Sequence, residues 1–163
     1  MNSPRFLCMG RLRYLADRAF LALVLILAGT VAAANASNKL NVDGSGLILR
    51  GHDAVAYVKE GKPIRGKPEI KSTYQGATYL FASAANKDEF DQDPANYAPQ
   101  YGGFCSYGVS LGVLGDTKDP QAFIVHNGRL HVCGNMTSLE KFIEDIDSNV
   151  EKAERQWRRI SKL

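Results

Sequence analysis

The clearest alternation of apolar and polar residues in this chain lies in QAFIVHNGRLHVCGN, residues 121–135. Its central Asn-Gly pair favours a two-residue type I′ turn, so the segment predicts a β-hairpin in which Ile124 faces His131. Because side chains alternate along a strand, one face carries only apolar residues and is expected to face the core; these are Phe123, Val125, Leu130 and Val132. The other face is expected to face solvent and carries Ile124, His126, Arg129, His131 and Cys133.

A second hairpin and two short helices are predicted before this segment. Strand-forming residues flank Gln75-Gly76, which predicts a turn between two strands. Ser83 is predicted to cap one short helix, and Asp93 another, with Pro94 at its first position.

Helical spacing accounts for most of the remaining apolar positions. Tyr101, Phe104, Gly108 and Leu111 have this spacing and predict a short, glycine-rich helix. Nearer the C-terminal end, a capping box is predicted at Thr137 and Glu140. Two helical stretches follow, and residues 147–149 (DSN) are expected to separate them. The predicted fold class is α+β, a small single domain of β-hairpins packed against short helices and a C-terminal helical segment.

The first 36 residues have the pattern of an export signal. Four arginines precede the apolar run AFLALVLILAG, and Ala34 and Ala36 fit a cleavage site before Ser37. An uncleaved anchor is the alternative, but small and polar residues dilute the second half of the run. We therefore expect a leader at 1–36, a flexible lead-in at 37–46 and a domain at 47–163. The expected location is the bacterial periplasm.

Removal of the leader changes the charge of the chain. Of 20 lysines and arginines and 17 acidic residues, 16 of each remain, so the formal net charge of +3 belongs to the leader. A neutral mature chain gives no electrostatic reason to expect binding to nucleic acid or anionic lipid. We also expect no stable membrane insertion after cleavage.

Two cysteines remain in the mature chain, Cys105 and Cys133, and their spacing matches no CxxC or zinc-ribbon motif. Cys105 lies in an uncharged stretch, YAPQYGGFCSYGVSLG. There it is either a small buried hydrophobe or a thiolate that binds a soft metal or performs redox chemistry. No basic residue is close in sequence to lower its pKa, which argues against a nucleophile. The hairpin pattern places Cys133 opposite the core, so the two thiols are expected to stay unpaired.

Histidines supply further candidate donors. His131 shares a strand face with Cys133, and His126 is its diagonal neighbour across the hairpin. Imidazole and thiolate suit copper or zinc if they converge, whereas the alternative is a set of ordinary solvent-facing residues. His52 precedes Asp53, which is expected to be a turn or cap residue.

Several segments together resemble the YHS-domain family in its exported, single-domain form. In chain order they are GHDAVAY, GKPIRGKPEI, YQGATYLFASAANKDEF, DPANYAPQYGGFCSYGVSLG, NGRLHV and the final helix with its tryptophan. The resemblance implies a small α+β domain with a role in metal binding. Metal-linked short forms place two thiolates after the hairpin as F-C-S-x-x-C, but this chain has Ala82 and Asn86 there, so that site is absent.

The same resemblance leaves Cys105 and His52 as the candidates that match the family. His131 and Cys133 stand where this form of the family more usually has tyrosine and asparagine. They are therefore peculiar to this sequence.

The sequence favours a binding module over an enzyme. It contains no nucleophile with a base, no paired carboxylates in a motif, no haem-attachment motif and no dinucleotide fingerprint. The expected ligand is a transition metal, with copper ahead of zinc, and the candidate ligands are Cys105, His52, His131, Cys133 and His126. One alternative is a metal-free domain that holds a small ligand or protein partner beside Tyr101 and Tyr107. The other is thiol redox chemistry through Cys105.

Overall fold

The computed structural model of the protein describes residues 39–163, and the predicted leader and cleavage site lie outside them. The described residues form one compact unit. The buried hydrophobic clusters of the described residues all lie within this unit, so it contains its own core. Among these residues, no helix has the length and apolar character needed to cross a bilayer.

The domain consists of short helices and two antiparallel β-hairpins, which confirms the predicted α+β class. In chain order they are α1 (Ala54–Glu60), β1 (Lys67–Tyr74), β2 (Ala77–Phe81), α2 (Ala84–Gln92), α3 (Pro94–Tyr97), α4 (Ser106–Ser110), β3 (Phe123–His126), β4 (Arg129–Val132), α5 (Met136–Ile143) and α6 (Ile146–Ile160). Single 3-10 turns lie at Leu49–Gly51 and Gln100–Gly103.

Both predicted hairpins are confirmed. The β1–β2 pair turns at Gln75 and Gly76, and β3–β4 turns at Asn127 and Gly128. In each turn both residues have positive φ, 50° and 90° in the first and 50° and 73° in the second. This is the conformation that a type I′ turn requires.

The prediction that one face of the β3–β4 hairpin meets solvent is wrong. The apolar face packs against the main cluster of the domain, as predicted, through Leu130 and Val132. On the other face, however, only 3% of His131 and none of Cys133 is exposed. Two residues of α5, Leu139 and Phe142, pack over this face. The hairpin therefore has a buried core on both sides.

The predicted helix over residues 101–111 is also only partly correct. Tyr101, Gly102 and Gly103 have positive φ of 54°, 62° and 79°, so the chain turns there instead of forming an α-helix. The helix α4 begins only after Cys105, which is its N-cap. Consecutive left-handed residues are incompatible with a right-handed helix.

Helix capping agrees with the sequence at Ser83 but differs near the C-terminal end. Ser83 accepts a hydrogen bond from the Asn86 N–H at 3.1 Å. The capping box predicted at Thr137 is wrong, because Asn135 caps α5 by accepting from the Ser138 N–H at 2.9 Å.

The boundary between the two C-terminal helices also differs from the prediction. It lies at residues 144–145, and residues 147–149 are inside α6. The Asn149 side chain donates to the carbonyl groups of Lys141 and Phe142 at 3.1 and 3.0 Å. It thus satisfies carbonyl groups that the end of α5 leaves without helical partners.

The expected lead-in is attached to the domain at Asn41. Its N–H donates to the Gly102 carbonyl at 2.8 Å, and its side chain donates to Gly103 O and Thr117 Oγ1 at 3.0 and 2.8 Å. These bonds hold the start of the described chain against the turn that precedes Cys105.

Candidate functional site

Cys105 is positioned by the glycine turn before it and by the loop after α4. Its N–H donates to the Gly115 carbonyl at 2.9 Å, and its sulfur accepts the Gly108 N–H at 3.4 Å. A Cβ at Gly115 would lie 3.2 Å from Cys105 Cβ, so this position leaves little room for a larger residue. The side chain is 5% exposed.

Cys133 directly follows β4, and its N–H donates to the Ala122 carbonyl at 2.7 Å. It shares the α5-covered face of the hairpin with His131 and is fully buried. Cys133 belongs to a buried cluster, called the thiol cluster below, whose other members are Cys105, Ala122, Leu139 and Phe142. The expectation that Cys133 lies on a solvent-facing side of the hairpin, away from Cys105, is therefore wrong, but both cysteines are free in the structure, as predicted.

The two thiols lie in the same buried cluster. The neighbouring Cys133 thiol lowers the pKa of Cys105 to about 6, although burial acts in the opposite direction. Backbone N–H groups reinforce the effect and come from Gly108, Gly134 and Tyr107. The same thiol pairing, together with burial, raises the pKa of Cys133. Within the pair, the thiolate form is therefore favoured at Cys105 and disfavoured at Cys133.

His131 lies beside this pair without a direct bond to either sulfur. Its Nδ1 is 3.5 Å from Ser106 Oγ, and its ring centroid is 5.3 Å from that of Phe142. Burial, with a smaller contribution from His126, lowers the pKa of His131 to about 4. The imidazole is therefore neutral at physiological pH, which is the form that can bind a metal.

The other two histidines lie elsewhere. His126 Nε2 is 2.9 Å from Asp147 Oδ1 at the exposed end of the hairpin. His52 Nδ1 is 3.0 Å from the Leu49 carbonyl, and it lines a small pocket together with Val132, whose side chain points away from Cys133. Among residues 39–163, no group of three or more histidine, cysteine or acidic side chains is placed to hold a metal ion.

The two candidate tyrosines belong to different surroundings. Tyr107 packs against the thiol cluster. Tyr101 packs with Val109 and Ala153 and lines a cleft together with Trp157, whose ring centroid lies 6.1 Å from its own. They therefore do not form a single tyrosine-lined pocket.

Sequence reasoning missed the backbone N–H groups around the Cys105 sulfur. It considered only basic side chains as a cause of a lowered pKa. The available signal was the glycine spacing, because Gly108 and Gly115 allow the backbone to approach Cys105 closely.

These observations define a small α+β domain in which two buried cysteines belong to one cluster. The YHS domain family matches residues 55–101 of the chain, in agreement with the resemblance noted from the sequence. No curated protein and no solved structure matched the chain. The matched residues end before Cys105, so the pair of cysteines lies outside the match.

Proposed function

We propose that this protein is a non-enzymatic module that binds one Cu(I) ion between the sulfur atoms of Cys105 and Cys133. The observation that carries the proposal is that these thiols, from distant parts of the sequence, meet in one buried cluster, where the pKa of Cys105 is lowered. Thiolates are the ligands that soft ions such as Cu(I) prefer. A bound ion would displace the thiol proton that remains, since metal ligands must be deprotonated.

The family assignment supports the coarser part of this proposal. YHS domains are associated with metal binding, which makes a metal the first ligand to test. The thiolate pair that metal-linked short forms place after the first hairpin has no counterpart here, because Ala82 and Asn86 occupy those positions. The proposed site therefore uses Cys105, which the sequence resemblance retains although it lies beyond matched residues 55–101, and Cys133, which is peculiar to this sequence.

The number of donors favours copper over zinc. Structural zinc sites take four ligands in a tetrahedron, whereas the described part of the chain brings only two thiols together, with His131 nearby. Soft thiolates in a site with few ligands suit Cu(I) better.

Anaerobic titration of Cu(I) against a competing chelator tests the proposal, with a reduced chain that begins at Ser37. We expect one ion per chain and a thiolate-to-copper absorption band. Cys105→Ala and Cys133→Ala should each abolish both signals. His52→Ala and His126→Ala are the controls and should bind like the parent, because these histidines lie outside the thiol cluster. Binding that survives either cysteine substitution would overturn the proposal.

Stability measurements separate a ligand role of Cys105 from a packing role. If Cys105 is only packed, Cys105→Ala should lower the apo-protein stability by about 1–3 kcal/mol, because it leaves the buried Gly108 N–H without its acceptor. Cys105→Ser should then be milder, because a hydroxyl can accept the same N–H at this N-cap position. If Cys105 is a ligand, copper should raise the melting temperature of the parent but of neither variant.

A second candidate function, thiol redox chemistry, is favoured by the thiolate form of Cys105. The thiolate would attack a disulfide reagent, release one of its thiols and form a mixed disulfide. Cys133 would then displace the second thiol and close a Cys105–Cys133 disulfide. Equilibration with oxidised and reduced glutathione, followed by mass spectrometry, should show a loss of two hydrogen atoms. Persistence of both thiols in excess oxidised glutathione would argue against this function.

The proposed location is the bacterial periplasm, reached through the leader at residues 1–36. The support is the arginine-rich start, the apolar run and the small residues before Ser37. Mass spectrometry of protein from the native host should give a chain that starts at or near Ser37. An intact Met1 in the membrane fraction would establish an anchor instead.

A further inference from the structure

We propose that the loop at residues 111–114 and the C-terminal end of α6 together form a docking surface for an anionic lipid bilayer. The protein would contact the bilayer through this surface without spanning it. The proposal does not depend on the metal site.

The loop supplies the apolar part of the surface. Leu111, Val113 and Leu114 are 60%, 56% and 36% exposed, although they lie within four consecutive residues. The loop backbone is bonded internally, because the Gly112 and Val113 N–H groups donate to carbonyl groups of α4 at 2.9 and 3.0 Å. Apolar side chains can therefore enter a lipid interface without carrying these N–H groups unpaired into it.

The end of α6 supplies the charge. Residues 155–163 contain four basic residues and no acidic residue, although the mature chain as a whole is neutral. The basic residues have i, i+3, i+4 and i+7 spacing, which places them on one side of the helix; they are Arg155, Arg158, Arg159 and Lys162. Arg155 pairs with Glu151, but within residues 39–163 neither Arg158 nor Lys162 has a carboxylate partner.

The apolar and basic parts are in contact. A Cβ at Gly112, between Leu111 and Val113, would lie 3.4 Å from a guanidinium nitrogen of Arg159. Asp116, the acidic residue that follows the loop, is bound by the Arg50 guanidinium at 2.7 and 2.9 Å. Its charge is therefore compensated.

This combination matches a bilayer surface better than a purely apolar partner. Exposed leucine and valine side chains suit the boundary between headgroups and acyl chains, and adjacent cations suit anionic headgroups. Basic residues at a helix C-terminus also interact favourably with the helix dipole, which is another reason for them to lie there. The helix dipole, however, gives no reason for three apolar side chains to remain exposed beside them.

Co-sedimentation with vesicles tests the proposal, with a chain that begins at Ser37 and keeps every described residue. We expect binding to vesicles that contain phosphatidylglycerol and none to pure phosphatidylcholine. Leu111→Ser/Val113→Ser should weaken binding about tenfold or more, since it removes most of the apolar area that the loop would bury in the bilayer. Arg158→Gln/Lys162→Gln should weaken it by about tenfold to thirtyfold, since each basic residue near an anionic surface contributes a fewfold factor.

Ile143→Ser is the matched control, because Ile143 is 45% exposed but precedes α6, at the opposite end from Arg159. The control should bind vesicles like the parent, and circular dichroism should show that all variants are folded. Equal binding of the parent to both vesicle types, no binding to either, or an equal loss in the control would overturn the proposal. Self-association without vesicles that Leu111→Ser/Val113→Ser abolishes would assign the surface to a second copy and would also overturn it.

Discussion

The side-chain amide of Asn86 donates a hydrogen bond to Asp53 Oδ2 at 2.8 Å, and the backbone N–H of Ala82 donates to the same oxygen at 2.8 Å. The other carboxylate oxygen accepts the N–H groups of Val55 and Ala56 at the start of α1, at 2.9 and 3.2 Å. Asp53 is fully buried, so one carboxylate connects α1 to the segment between β2 and α2. By resemblance, positions 82 and 86 are those of the two cysteines in metal-linked relatives. Here they donate to a carboxylate instead.

Substitution of Asp53 should therefore be costly. Asp53→Ala leaves four N–H donors without their acceptor, and we expect the free energy of unfolding to fall by about 3 kcal/mol or more. Asn86→Ala should cost about 1–2 kcal/mol, because the three backbone donors keep their partner. Urea denaturation measures both. Asp88→Ala, at an exposed position of α2, should change stability by less than about 0.5 kcal/mol; similar losses for Asp53 and Asp88 would contradict the bonding described.

Alkylation should reveal the lowered pKa of Cys105. In the metal-free, reduced protein, the iodoacetamide rate should rise with pH around 6, whereas an ordinary cysteine titrates near 8.5. Cys133→Ala removes the largest cause of the lowered pKa, so the midpoint of the rate profile should move to higher pH. Burial will slow the reaction without moving its midpoint. A midpoint above 8 in the parent would show that Cys133 does not lower the pKa of Cys105.

Acid should destabilise the metal-free protein through His131. Its pKa is about 4 in the folded protein and near 6.5 when unfolded, so the unfolded chain binds this proton first as pH falls. Stability from this residue is therefore complete above about pH 7 and decreases from pH 6.5 to 4, by about 3 kcal/mol in total. Unfolding measured over this range should show a shallower decrease in His131→Gln. His126→Gln should keep most of the slope of the parent, because burial contributes more than His126 to the lowered pKa of His131. Loss of the slope in this variant instead would assign the effect to His126.

Two glycines with positive φ should respond differently to alanine. Gly102 and Gly61 have φ of 62° and 64°, but a Cβ at Gly102 would lie 2.1 Å from the Lys39 carbonyl oxygen, whereas nothing lies within 4 Å at Gly61. Gly61→Ala should cost about 1–2 kcal/mol, the strain of a left-handed alanine. Gly102→Ala should cost about 1–3 kcal/mol more, because the chain around Asn41 must move. Thermal melts and hydrogen exchange of the Asn41 amide check this, and equal losses would show that the contact with Lys39 does not hold the segment.

Local signals in the sequence predicted the hairpins and the cap at Ser83 correctly, whereas Asp93 occupies the predicted N-cap position without a side-chain capping bond. A type I′ turn depends on two adjacent residues, and Asn127-Gly128 is sufficient to fix the pairing of Ile124 with His131. Ser83 likewise caps its helix through a residue three positions away. Such features need no knowledge of distant parts of the chain.

The thiol pair could not be predicted in this way. Strand alternation showed that Cys133 shares a face with His131, but not that α5 covers that face. A strand face with a histidine, an arginine and a cysteine has the composition of a solvent-facing one. Whether its inner residues are buried depends on where α5 packs, which strand alternation does not show. Tyr101 added a second difficulty, because a tyrosine with φ of 54° breaks the helical spacing that its neighbours indicate.

The double-sided burial of the β3–β4 hairpin has a consequence for the kinetics of any reaction at Cys133. With none of Cys133 and only 5% of Cys105 exposed, a reagent reaches the sulfur atoms only when α5 moves away from the hairpin. As the reagent concentration rises, the observed reaction rate would then reach a plateau. The plateau value is the rate at which this opening occurs. The packing of Leu139 and Phe142 would set that rate, so residues that touch no ligand would govern how quickly the thiols can be used.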